Sequence, residues 1–159
     1  MRDWVSEWVQ EGRLYVWRYL DPRPGWRGWH FTADPAGCRS VRNLLDRMQG
    51  GGPSHRTLRL ERVTEEILSV PNYGRNSAGR YVRLRIAYRP ECEALQLSAE
   101  DDLLVMTVGG RRLRKLSAAF AEVETGGGDF GIHTSDDREA ASWMFWWMPD
   151  VRYDYGRRK

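Results

Sequence analysis

The sequence predicts an α+β domain. It combines a mainly antiparallel sheet of about six to eight strands with two principal helices, over about 34–49 and 111–124, packed on one face. Three observations carry this expectation. Several stretches alternate apolar and polar residues and are joined by short turns, which favours antiparallel pairing. Two longer stretches repeat apolar residues at helical spacing between recognisable start and stop signals. The chain has 159 residues and 18.6 kDa, a size at which one core buries roughly 70% of the surface the unfolded chain exposes. Residues 1–155 therefore read as a single domain, and 156–159, with Arg157, Arg158 and Lys159, as a frayed basic tail.

Trp4, Val5, Trp8 and Val9 recur at a spacing that suits one or two helical turns over residues 3–11. From Arg13 to Leu20 the pattern changes to alternation, with Leu14, Val16 and Leu20 on one side and Tyr15, Trp17 and Tyr19 on the other. Asp21-Pro22-Arg23-Pro24-Gly25 is a turn by its chemistry, and 26–32 reads as the returning strand. Asp34 then caps a helix whose first position is Pro35, a residue preorganised for that place. Cys38, Val41, Leu44, Leu45 and Met48 form its apolar stripe, and Gly50-Gly51-Gly52-Pro53 ends it.

Residues 57–63 read as a strand with Leu58 and Leu60 inward, and 64–68 as a helical turn before Pro71. A polar loop covers 72–79. Residues 80–88 alternate again, setting Val82, Leu84, Ile86 and Tyr88 against Tyr81, Arg83 and Arg85. Residues 94–98 and 102–108 suit a hairpin around 99–101. Leu113, Leu116, Phe120 and Val123 favour the second helix over a reading of Gly109-Gly110 as a hairpin turn. Closing strands are expected at 129–133 and 142–148.

Composition narrows the function classes. Hydrophobic residues make up 41% and charged residues 30%, with a mean hydropathy of -0.67, which argues against a membrane protein and against a fully disordered chain. The start, Met1-Arg2-Asp3-Trp4, has no apolar run of a secretory signal. Two cysteines are too few for a disulfide framework or a four-ligand zinc site. The expectation is a cytoplasmic protein with no membrane contact, no cofactor and no metal.

Motifs of catalysis are weak. Gly74-Arg75-Asn76-Ser77-Ala78-Gly79-Arg80-Tyr81 resembles a phosphate loop in spacing only, because Arg80 and Tyr81 replace the lysine and the hydroxyl that bind phosphate and magnesium. Cys38 lies on an apolar stripe and reads as a buried, inert thiol. Cys92 stands between Glu91 and Glu93, whose charges disfavour a reactive thiolate. Asp129 and His133 on one strand would lie roughly 13 Å apart at ~3.3 Å per residue, too far to share an ion. A site pairing His133 with Asp136 or Asp137 is the one enzymatic arrangement left. No catalytic residue is assigned.

Binding features are stronger. Of 25 basic residues only Lys115 and Lys159 are lysine, and arginine presents a planar fork to carboxylates and phosphates. Tyr15, Trp17 and Tyr19 line one strand face, while Arg83 and Arg85 line another and Arg59 projects from a third. If the faces coincide, rings and guanidiniums interleave; otherwise the rings form a second layer of core over the sheet. Arg111, Arg112 and Arg114 with Lys115 crowd the positive end of the second helix, and Glu122 and Glu124 its negative end, against the usual preference; the cluster is either an anion site or a set of arginines paired with acidic residues on neighbouring strands. The segment 143–148 is apolar on both faces, so its cover is either the N-terminal tryptophan cluster or a second copy of the chain.

The expected function is a non-enzymatic interaction protein (an adaptor, an inhibitor or an immunity-type protein) acting through an aromatic and arginine surface. The alternative is a single-stranded nucleic-acid-binding domain using the same surface. A small enzyme with a site near His133 ranks third.

Overall fold

A computed structural model describes residues 5–20, 22, 27–71, 76–128, 130–136 and 142–151. The elements are β1 (Leu14–Tyr19), β2 (His30–Ala33), α1 (Pro35–Met48), β3 (Ser54–Arg59), α2 (Glu65–Ser69), β4 (Ser77–Ala78), β5 (Arg83–Tyr88), β6 (Gln96–Glu100), β7 (Leu103–Val108), α3 (Gly110–Glu124), β8 (Phe130–His133) and β9 (Ser142–Phe145). The expected turn at 21–25, apart from Pro22, and the tail at 156–159 lie outside the described residues, as do Asp129 and Asp137.

The class is α+β, but the strands form two mixed sheets instead of one. The first has five strands in the order β4-β1-β2-β9-β8, and the second has four in the order β3-β5-β7-β6. Consecutive strands do pair antiparallel, as β1 with β2, β6 with β7 and β8 with β9. The parallel pairs, β2 with β9 and β5 with β7, join strands that are not consecutive. Short turns report only on neighbours along the chain, so these two pairings left no local trace.

Helix α1 starts as its residues dictate. Asp34 Oδ1 accepts from the backbone N–H of Gly37 at 2.7 Å, and Pro35 follows at the first helical position. The same oxygen accepts from the Arg13 N–H at 2.9 Å, tying the helix start to the entry of β1. Helices α1 and α3 pack on each other and on β2. Their apolar stripes share one core with Leu14 and Val16 of β1, Leu84 and Ile86 of β5, and Leu104 and Met106 of β7. Each such buried side chain contributes roughly 1.5–3 kcal/mol relative to exposure.

A second, smaller core lies on the other face of the five-stranded sheet. Tyr15, Trp17 and Tyr19 meet Ile67 and Leu68 of α2 there, together with Trp146 and Met148. The segment 143–148 is thus covered on both faces by its own chain, with Trp143 and Phe145 in the large core and Trp146 in the small one. A second copy is not needed to bury it.

Three local expectations change. Residues 5–7 form a turn, and no helix occurs between 5 and 11. Strand β3 runs Ser54–Arg59 instead of 57–63: the Leu60 N–H still donates to the Val82 carbonyl, but the Glu61 N–H donates to Leu14 of the other sheet. The chain leaves one sheet for the other at that point. Ser77 and Ala78, expected in a loop, pair with Tyr19 and Arg18.

Candidate functional site

The outer face of the four-stranded sheet is open. Inward positions Leu58, Leu84, Ile86, Leu104 and Met106 fill the core, so their alternates point outward by the period of a strand. Register sets these alternates in rows. Arg59 stands opposite Arg83, which stands beside Leu103 and then Glu100; Thr57, Arg85, Val105 and Ser98 make the next row. His55, Ala87, Thr107 and Gln96 make the third. Arg59, Arg83, Arg85 and His55 are exposed, and Ala87, Leu103 and Val105 are half-buried between them and β6.

Like charges directly across a strand pair repel, at up to about 1 kcal/mol. Arg59 and Arg83 accept that arrangement, with Arg85 on the diagonal. Asp102 supplies a counter-charge, its carboxylate lying 3.6 Å from Arg83 with both groups more than half exposed. The main chain beneath is fixed. Gln10 clamps the outer edge of β3: its amide Nε2 donates to the Arg59 carbonyl at 3.0 Å, and its Oε1 accepts from the Arg59 N–H at 2.7 Å.

The aromatic half of the expected surface is not on this face. Tyr15, Trp17 and Tyr19 are 6%, 1% and 3% exposed, under α2 and Trp146. Rings and guanidiniums therefore do not interleave; they belong to different sheets. His30, with no partner identifiable from sequence, sits among these rings. It stacks on Trp17 at 5.7 Å, meets Tyr19 edge-on at 4.7 Å, and accepts at Nδ1 from the Trp146 indole at 2.9 Å. An indole N–H only donates, so Nδ1 carries no proton in this arrangement. Burial pushes the Tyr19 hydroxyl up to about 12, opposed by the nearby Trp17 N–H, which does not reach hydrogen-bond geometry.

The candidate anion site at α3 is filled from within. Arg112 is 3% exposed and donates to the carbonyls of Glu93 and His133, each at 2.9 Å, and to Asp136 at 2.8 Å. Arg111 also reaches Asp136, at 3.1 Å. At the other end Glu124 pairs with Arg42 at 3.3 Å and with Arg39 at 3.8 Å, both on α1. Arg111, Arg112 and Glu124 are thus answered by partners distant in sequence. Gly109, before the helix, admits no side chain, because a Cβ there would overlap the Cys92 carbonyl oxygen. Arg114 is exposed on the helix surface.

The remaining chemistry is sparse. Cys38 is fully buried, and burial pushes its thiol up to about 12. His133 Nδ1 lies 3.4 Å from the Ser142 hydroxyl, and Asp136 is engaged by the two arginines. Among the described residues no three His, Cys, Asp or Glu side chains gather to hold a metal, and no helix is long and apolar enough to cross a membrane. No protein-family model, curated protein or solved structure matches this chain. Sequence reasoning found Arg59, Arg83 and Arg85. It missed Leu103 and Val105, which the parallel pairing of β5 with β7 brings beside Arg83 and Arg85, and His55, which the β3–β5 register sets in a neighbouring row.

Proposed function

We propose that this chain is a non-enzymatic interaction protein that binds an acidic protein segment on the open face of the β3-β5-β7-β6 sheet. The observation that carries the reading is the register that sets Arg59 opposite Arg83 with Arg85 beside them. A carboxylate-bearing partner relieves that repulsion and matches the fork of each guanidinium. The half-buried strip of Ala87, Leu103 and Val105 beside the arginines gives such a partner apolar area to cover. Nucleic acid fits this face less well. Single-strand binders stack bases on rings, and the rings of β1 are in the small core.

Titration of the 15N-labelled chain with a glutamate-rich peptide, and separately with oligo(dT), tests the reading. The peptide is expected to shift the backbone signals of Arg59, Arg83, Arg85 and Val105 saturably. Exchanging the three arginines for glutamate is expected to abolish the effect. Binding of oligo(dT) alone, falling steeply with salt, would replace this reading with the nucleic-acid one.

A further inference from the structure

A cavity of about 290 Å³ opens beside β1, lined by Val16 and Trp17, the segment 61–65 and the segment from Asn76 to Tyr81. Its floor is a gap in the sheet edge. The hydrogen-bond pattern fixes which way each β1 residue faces. Asp34 N–H donates to Arg13, so Tyr15 and Trp17 exchange their bonds with β2. The intervening residues then turn their N–H and C=O toward the opposite edge. Leu14 is met there, its carbonyl accepting from Glu61 at 2.9 Å. Arg18 is met by Ala78, and the Leu20 N–H by Asn76 at 2.9 Å. Val16 lies between them. Among the described residues no backbone or side-chain group bonds to its outward N–H or C=O.

The gap has a structural cause. The chain at 61–63 joins β1 only at Leu14, and β4 stops after Ala78, where Gly79 takes φ +76 and turns away. Tyr81 beyond it is held by Arg18, whose Nη2 donates to the Tyr81 hydroxyl at 3.1 Å while its guanidinium lies 4.4 Å from the Trp29 ring centroid. The opening is therefore braced. Trp17, also in the lining, has a buried indole N–H without a hydrogen-bond partner.

We infer that this cavity is a binding site for a small amide with charges of both signs, its amide group pairing with the N–H and C=O of Val16. A donor and an acceptor that point the same way are matched by one primary carboxamide, whereas the N–H and C=O of a trans peptide unit point opposite ways. The protein already contains this match, in the Gln10 side chain seated on the edge of Arg59. Glu61 and Glu65 suit the ligand's ammonium group, and Arg62 and Arg80 its carboxylate. The chemical class is a free amino acid with a side-chain carboxamide. The site is separate from the arginine face and does not depend on it.

Hydrogen exchange and NMR titration test the inference on the full chain. Without ligand, the Val16 amide is expected to exchange at least tenfold faster than those of Tyr15 and Trp17, although Val16 is itself buried. Protection of Val16 equal to its neighbours would overturn the gap. L-alanyl-L-alanine and L-glutamine are then titrated separately to tens of millimolar. A saturable downfield shift of the Val16 amide proton with L-glutamine supports the site, and the dipeptide, whose trans amide cannot make both bonds, is expected to leave that signal in place. Exchanging Arg80 for alanine, an exposed change, is expected to weaken L-glutamine binding roughly tenfold. No saturable shift at Val16 with L-glutamine, an equal response to both ligands, or shifts confined to Arg59, Arg83 and Arg85, would refute it.

Discussion

Trp146 Nε1 donates to His30 Nδ1 at 2.9 Å, a bond between residues 116 apart in the sequence. His30 is fully buried and lies between Trp17 and Trp146, its ring within 21° of parallel to each. The N-terminal and C-terminal tryptophan clusters thus meet through an imidazole.

Exchanging Trp146 for phenylalanine removes the indole N–H that donates to His30 Nδ1. An unpaired buried acceptor costs about 1–3 kcal/mol, beyond the loss of ring volume. Urea denaturation is expected to show at least that loss. An unchanged midpoint would mean that the imidazole finds water or another donor.

Cys38 and Tyr19 set an alkaline limit. Their folded values are about 12, against 9.0 and 10.0 for the unperturbed groups. The unfolded chain gives up these protons first, so the folded state binds more of them over this range. Stability is full below about pH 9 and falls as pH rises toward 12. Melting temperatures across that range are expected to decline, and the Cys38→Ala variant to decline less steeply. In the folded protein at neutral pH, a thiol reagent should label Cys92 and leave Cys38 untouched.

Arg112 and Arg111 separate a structural arginine from a surface one. Replacing Arg112 with alanine strands the carbonyls of Glu93 and His133 and is expected to cost on the order of 2–4 kcal/mol. Lysine at 112 should recover little, since a single ammonium does not reproduce the fork that serves three acceptors. Alanine at Arg111 or Arg114 should stay within about 0.5 kcal/mol. Equal costs at 111 and 112 would contradict the assignment.

Gly109 is the tightest approach of main chain to main chain before α3. An alanine there meets the Cys92 carbonyl, and the expected loss is about 3 kcal/mol or more. Gly52, whose Cβ would meet nothing within 4 Å, is the control, with a change within about 0.5 kcal/mol. Calorimetry of the two variants decides the point.

The sequence carried the elements better than their assembly. Asp34-Pro35 and the Cys38 to Met48 stripe located α1 because capping and helical spacing are local. The alternation of 83–88 marked Arg83 and Arg85 as outward for the same reason. Nothing local says that β9 inserts beside β2, or that 61 crosses to Leu14. Hence alternation set the rings of β1 on one face but did not say that α2 and Trp146 cover it. The charges on α3 looked unbalanced only because Asp136, Arg39 and Arg42 are brought to them by the fold. The gap at Val16 follows from where two neighbouring segments stop, which no pattern within β1 records.

The two sheets differ in how soon a growing chain can complete them. All four strands of the arginine-bearing sheet come from residues 54–108, a continuous stretch. The five-stranded sheet needs β1 and β2 from one side of that stretch and β8 and β9 from the other. Long-range pairings of this kind close slowly, because the loop entropy is lost before the contacts form. During synthesis the smaller sheet has every strand it requires while β2 still waits, its edge bare, for residues 142–145. That interval is when the edge carrying Phe31 and His30 is open to the wrong neighbour.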